Sequence, residues 1–264
     1  MNARRVVRWW KLARLGVHVA EGLLKAGLVY PRLAPAQQRA MVQGWSSRLL
    51  RILRIEIEVS EPLRQLDSAA FFAANHVSWL DVFLINSVAP ARFVAKAEIR
   101  DWPVLGWLCA QVGTVFIERD SPRAAWRVGQ ELNGLLERGE NVAIFPEGTA
   151  SDGSTVHPFH ASLLEPAVRG ERVVLALGVR FLRADGSTCR EVAYDGDRKF
   201  TDSLHGILSQ AHIRAELVLA AALDARGRER RSLARHAREK ICHALNLLPN
   251  EAAGSDRAAP SSEP

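Results

Sequence analysis

The chain has 264 residues, 48% of them hydrophobic and 24% charged, with a formal net charge of +6. That balance excludes a disordered chain and a small disulfide scaffold, and gives one large domain, or one domain with an appendage, with a sizeable core. The three cysteines, Cys109, Cys189 and Cys242, are odd in number and far apart, without metal-ligand spacing, which points to reduced structural residues in a cytosol-facing protein.

The charge is uneven. Residues 1–54 hold eleven Lys/Arg and one acid, Glu21, a net +10; the remainder holds 24 basic and 28 acidic residues, a net −4. A basic arm on a mildly acidic body suits a polyanion, either nucleic acid or an anionic membrane. Residues 4–30 read as a helix whose start is crowded by Arg4, Arg5, Arg8, Lys11 and Arg14, beside Trp9 and Trp10. Glu21 and Lys25 interrupt its apolar run, so it falls short of the roughly 20 apolar residues of a span, and no Ala-x-Ala cleavage site marks a signal peptide. Residues 36–54 form a second basic and apolar helix, carrying Trp45, Arg48, Arg51 and Arg54; alternatively it is a plain surface helix on the core. The pair is expected to dock on an anionic membrane surface from its cytoplasmic face. No nucleic-acid motif accompanies the charge, so nucleic acid is not expected.

Residues 55–60 alternate apolar and acidic and read as a strand. Residues 69–74, Ala-Ala-Phe-Phe-Ala-Ala, read as a buried strand. It runs into Asn75-His76-Val77-Ser78-Trp79-Leu80-Asp81, a turn into a helix that ends near Pro90. Sites of open α/β sheets gather at such turns, beyond the carboxyl ends of strands. A neutral imidazole at His76 would take a proton from a hydroxyl, and Asp81 would hold its tautomer. The bland alternative is a capping box between Ser78 and Asp81, with His76 merely bonding a loop.

Residues 91–96 form the next strand. Lys96 lies at its end, facing an anionic head group or solvent. Residues 98–112, with Trp102, Leu105, Trp107 and Leu108, form an apolar wall, core in preference to an acyl-chain channel. Residues 113–120 are a strand with Arg119 at its carboxyl end, where a guanidinium grips a phosphate or pairs with Asp120. Ser121-Pro122 starts a helix and Gly139 stops it. The next strand runs into Phe145-Pro146-Glu147-Gly148-Thr149: Pro146 ends the ladder, Glu147 places a carboxylate there, and Gly148 permits close backbone approach. An ordinary Pro-Glu-Gly turn is the alternative. The strand–helix alternation from 69 to 147 predicts parallel pairing with right-handed crossovers.

His-x4-Asp at His76 and Asp81, followed by Phe-Pro-Glu-Gly-Thr at 145–149, resembles the glycerolipid (1-acylglycerol-3-phosphate) acyltransferase family. The match runs from about residue 73 to 181. The resemblance implies a mostly parallel α/β domain over 55–248, with catalysis by His76 and Asp81. It implies acceptor binding by Arg119, Phe145, Pro146, Glu147, Gly148, Thr149 and Lys96, Arg119 holding the acceptor's phosphate. Two departures stand out: many members carry a basic residue at Ala150 and a Lys at His160. The Ser151-Asp152-Gly153 variant resembles the subset that includes lyso-ornithine-lipid acyltransferases.

Residues 173–181 form a further strand, though the family's usual proline is absent near Leu177-Gly178. Residues 192–194 read as a short strand, 201–209 as a helix, 213–220 as a strand and 229–247 as a basic closing helix. Residues 249–264 are expected to be a disordered tail.

The implied chemistry is transfer of a fatty acyl group from acyl-CoA or acyl carrier protein to the free hydroxyl of a lysophospholipid. The first acceptor is 1-acyl-sn-glycerol-3-phosphate, giving phosphatidic acid; the alternative is a lyso-ornithine or other lysolipid. Neither metal nor cofactor is expected, because the thioester is already activated. No Gly-x-Ser-x-Gly elbow is present. Oxyanion donors are sought among backbone amides near His76 or Gly148. Two rivals remain: a lysophospholipid or acyl-thioester hydrolase on the same His–Asp pair, and a non-enzymatic membrane-binding protein.

Overall fold

The structure, a computed structural model, describes residues 3–66, 68–118, 122–196 and 198–247, the side chains of 3–6 and 122–125 excepted. Arg119 and the expected tail at 249–264 therefore lie outside the described residues. In chain order come α1 (Ala3–Leu28), a 3-10 turn (Tyr30–Arg32), α2 (Pro35–Leu53), β1 (Ile55–Val59), α3 (Glu61–Arg64), β2 (Phe71–Ala74), α4 (Leu80–Val88) and β3 (Ala91–Lys96). A 3-10 turn (Ala97–Asp101) leads to α5 (Leu105–Gln111), β4 (Val115–Ile117), α6 (Pro122–Glu137) and β5 (Asn141–Ile144). Then follow α7 (Glu165–Arg169), β6 (Val173–Leu182), α8 (Phe200–Ser209), β7 (Ile213–Asp224) and α9 (Arg230–Ala244).

The seven strands form one sheet in the order β1-β7-β6-β2-β5-β3-β4. Every neighbouring pair is parallel except β6 and β7. β2 sits at the centre with all four side chains buried, which is what an uninterrupted Phe-Phe-Ala-Ala run requires. Its residues alternate between two cores. Phe72 and Ala74 face the core under α2, α4 and α8, while Phe71 and Ala73 face the one under α6, α7 and α9. The carboxyl ends of β2, β5, β3 and β4 lie along one edge, and the turns after them share that edge.

Two expectations change. The strand expected at 192–194 is a 3-10 turn at Arg190–Val192: Val192 is buried, and the Tyr194 amide bonds the carbonyl of Val77 instead of a strand. β7 extends to Asp224, because its second half pairs antiparallel with β6.

α2 buries Leu49, Leu50, Ile52 and Leu53 against the core, as a plain packed helix does. α1 lies against α2 through a reciprocal clasp. His18 bonds the carbonyl of Trp45 at 3.1 Å, the Trp45 indole donates to the carbonyl of His18 at 3.3 Å, and their rings stack at 4.5 Å. Lys11, grouped by its sequence with the basic crowd, is 1% exposed. Its ammonium donates to the carbonyls of Leu53 and Gln210, at the ends of α2 and α8. Among the described residues, no helix is long and apolar enough to cross a membrane.

Candidate active site

β2 ends at Ala74, but its ladder continues through a side chain. Asn75 Nδ2 donates to the Val179 carbonyl at 2.9 Å, and Asn75 Oδ1 accepts from the Val179 amide at 2.7 Å. The amide side chain thus copies a peptide group and ties the start of the turn to β6.

The backbone of the turn is then bonded group by group. The His76 amide donates to Glu147 Oε1 at 2.6 Å, and the His76 carbonyl accepts from the Ser151 amide at 2.8 Å. The amides of Val77 and Ser78 both donate to Asp81 Oδ2, at 2.7 and 2.9 Å. The Val77 carbonyl accepts from the Tyr194 amide at 2.9 Å. A turn held at each of these points has little freedom left, which is what pre-organisation of a reacting side chain needs.

His76 Nδ1 lies 2.7 Å from the same Asp81 Oδ2. Asp81 is fully buried in the first turn of α4, while the His76 side chain keeps 21% of its surface exposed. The capping and orienting roles weighed for Asp81 are therefore both present, on one oxygen. A carboxylate there puts the proton on Nδ1 and leaves the lone pair of Nε2 outward. Among the described residues Nε2 has no hydrogen-bond partner. The ring stacks on Phe145 at 4.2 Å and 17°, and Phe145 stacks in turn on Phe93 at 5.7 Å. Phe145 thus fixes the plane of the imidazole.

Glu147 is 3% exposed, and both its oxygens are occupied by the backbone: the His76 amide on Oε1 and the His157 amide on Oε2, each at 2.6 Å. Burial pushes its carboxyl up to about 8, although the two amides favour the carboxylate. Of the two expectations for this residue, support of the turn is the one its geometry performs. Pro146 is buried and its carbonyl accepts from His160; Gly148 takes φ +71°, a left-handed conformation that favours glycine; Thr149 is exposed.

Lys96 is exposed at the carboxyl end of β3, on the same sheet edge as His76, with no hydrogen bond or ion pair among the described residues. The amides proposed as oxyanion donors are engaged within the protein: those of His76, Val77 and Ser78 on carboxylates, and that of Gly148 on the Phe145 carbonyl.

An apolar cavity of about 470 Å³ lies between α1, α2, α4, β3 and α5, lined among others by Trp45, Phe83, Phe93, Leu105 and Leu108. Phe93 joins its wall to Phe145 and so to His76. The segment 98–112, expected as core, is not core. Leu105 and Leu108 line this cavity, while Trp102, Val104 and Trp107 are 46%, 58% and 43% exposed.

An acyltransferase family model matches residues 54–180, which contain the His76 turn and the Glu147 turn. A lyso-ornithine lipid O-acyltransferase of Pseudomonas aeruginosa is 33% identical over 91% of this chain and 92% of its own. The chain belongs to the glycerolipid acyltransferase family. A 1-acyl-sn-glycerol-3-phosphate acyltransferase of Neisseria gonorrhoeae is 37% identical over 61% of this chain and 63% of its own. The crystal structure of the 1-acyl-sn-glycerophosphate acyltransferase PlsC from Thermotoga maritima superposes with a TM-score of 0.66 at 19% identity, covering 94% of this chain and 98% of that one, so the fold is shared.

Several residues of the candidate site escaped the sequence. Asn75, Phe93, Ser151, His157 and Tyr194 each fix the turn or its ring. Only Asn75 carried a local signal, as a polar residue closing an apolar run. The others reach His76 across the sheet from 17 to 118 residues away in the chain. Of the two departures noted at 150 and 160, Ala150 is buried and His160 is exposed.

Proposed function

We propose that this acyltransferase moves a fatty acyl group from an acyl thioester of coenzyme A or acyl carrier protein to the free hydroxyl of a lysolipid. The observation that carries the proposal is the 2.7 Å His76–Asp81 pair, whose imidazole is joined through the stacked rings of Phe145 and Phe93 to the wall of an apolar cavity. Nε2 removes the hydroxyl proton as the oxygen attacks the thioester carbonyl. The C–O bond forms, the tetrahedral intermediate collapses, the C–S bond breaks, and the imidazolium returns the proton to the leaving thiolate. Asp81 stabilises the imidazolium through that step. The cavity takes an acyl chain. Lys96, at the carboxyl end of β3, and Arg119, which follows β4 in the sequence, supply cations for an anionic head group.

The same reading places the protein on an anionic membrane at its cytoplasmic face. α1 exposes Trp9, Trp10, Val17, Leu24 and Leu28, and Arg14 stacks over Trp10 at 4.4 Å. Trp107 packs over Gly27 of α1, so the exposed Trp102, Val104, Leu105 and Trp107 continue that apolar surface. α2, whose Leu49, Leu50, Ile52 and Leu53 are buried, contributes the exposed Arg48 and Arg51.

The test is an acyl-transfer assay with labelled acyl-CoA and acyl-carrier-protein donors. The acceptors are 1-acyl-sn-glycerol-3-phosphate, lyso-ornithine lipid and none. Acceptor-dependent transfer that His76→Ala abolishes is the expected result. Free fatty acid released without acceptor would instead identify a hydrolase.

A further inference from the structure

The loop after the Glu147 turn and the loop after β6 both bind the catalytic turn, and they meet each other beside it. Ser151 holds the His76 carbonyl through both its amide and its hydroxyl, at 2.8 and 3.2 Å. Tyr194 holds the Val77 carbonyl. Gly153, at φ +81°, lies so close to Val77 that a Cβ would stand 3.2 Å from Val77 Cγ1. Between these anchors, Asp152 Oδ2 faces Arg190 Nη2 at 3.5 Å, with 34% and 63% of the two side chains exposed.

The pair is built on one side and open on the other. Asp152 Oδ1 accepts from the Ser154 amide and hydroxyl, at 2.9 and 2.5 Å, which fixes the carboxylate. Burial opposes its ionisation, but Ser154, Arg190 and His157 outweigh it and hold the carboxyl below its ordinary range. The guanidinium of Arg190 makes no other hydrogen bond or ion pair among the described residues, and the Arg190 carbonyl is held by Arg198. An exposed ion pair at this distance contributes little, so a ligand can part it at small cost.

The chemistry of such a pair is that of a receptor for a zwitterion. A planar guanidinium takes a carboxylate through two N–H bonds, and a carboxylate takes an ammonium. A phosphate monoester would meet Arg190 but be repelled by Asp152. Ala150, two residues before, is buried and adds no cation.

We infer that Asp152 and Arg190 select the acceptor, and that the acceptor is a lysolipid whose head group carries both a carboxylate and an ammonium, as an amino-acid lysolipid does. Arg190 takes the carboxylate and Asp152 the ammonium, while the free hydroxyl that receives the acyl group lies at His76. This rests on the acyl-transfer reading above and gives it a substrate class. It accounts for a Ser-Asp-Gly loop where a phosphate-binding loop would carry cations.

The experiment compares lyso-ornithine lipid with 1-acyl-sn-glycerol-3-phosphate in neutral detergent micelles, where differences in membrane docking do not enter. Wild type is measured beside Asp152→Asn and Arg190→Gln. Asparagine keeps an acceptor oxygen for Ser154, so the loop is retained. Wild type is expected to favour the ornithine acceptor in kcat/KM. Each variant should raise KM for that acceptor about tenfold or more, with kcat changing less than KM. Asp152→Asn should lower KM for the phosphate acceptor, an opposite shift that mere loosening of the loop would not give. A wild-type preference for the phosphate acceptor, or an unchanged KM for the ornithine acceptor in both variants, overturns the inference while leaving acyl transfer intact. Transfer to neither acceptor overturns the acyl-transfer reading itself.

Discussion

Glu147 holds the amide of His76 at 2.6 Å and, with its second oxygen, the amide of His157 at the same distance. One buried carboxyl group therefore fixes the His76 turn to the loop that follows β5. Glu147→Gln replaces one acceptor oxygen with an NH2 group facing an amide N–H. The expected cost is about 2 kcal/mol in urea unfolding, with a fall in kcat, because His76 loses its anchor.

The same residue gives a pH signature. Its carboxyl, ordinarily at 4.5, is raised by burial to about 8. The folded state thus binds this proton more tightly than the unfolded chain. The resulting stability is full below pH 4.5 and is lost as pH rises toward 8. Unfolding free energy measured across that window should decline in wild type more steeply than in Glu147→Gln.

His76→Ala should lower kcat by at least about 10²-fold and leave the unfolding midpoint nearly unchanged, since the ring is only partly buried. Asp81→Asn should differ in kind. Its Oδ2 serves the imidazole and two backbone amides. A neutral amide accepts these more weakly and no longer stabilises the imidazolium. Activity and stability should fall together, read by steady-state kinetics beside urea titration. An unchanged midpoint in Asp81→Asn would show that the amides of Val77 and Ser78 do not depend on its charge.

Lys11→Met removes an ammonium that joins α1 to the ends of α2 and α8. Two carbonyls lose a donor, at roughly 1–2 kcal/mol, partly offset by relief of a buried charge. Amide exchange should quicken in α1 and stay unchanged in β2 and β5. Equal quickening throughout would mean that α1 is not a separate unit.

Trp102→Ser with Trp107→Ser should weaken sedimentation with anionic liposomes at high salt, where the basic contribution is screened and apolar insertion carries the binding. Unaltered binding would remove residues 102–107 from the membrane surface.

The central strand, the His76 turn and the Glu147 turn were legible because their signals are local. A buried strand needs a run of apolar residues, and a site at its carboxyl end needs its polar residues next in sequence. The N-terminal helices were legible in extent for the same reason. Their partition was not: the composition of α1 and α2 is alike, yet α2 buries its apolar face and α1 exposes its own. Residues 98–112 misled similarly, since an apolar run has the same sequence whether it faces core, cavity or solvent.

By itself, then, the sequence determined the strand–turn–helix units, the His–Asp pair within one of them, and the family. Spacing of five residues along one turn is enough to bring those two side chains together. Only the tertiary structure decided what holds that turn. Asn75 to Val179, Glu147 to His76 and Tyr194 to Val77 are contacts between strand ends and loops far apart in the chain. Such contacts depend on strand order and register, and the insertion of β5 between β2 and β3 is a packing outcome of two cores that no local pattern encodes.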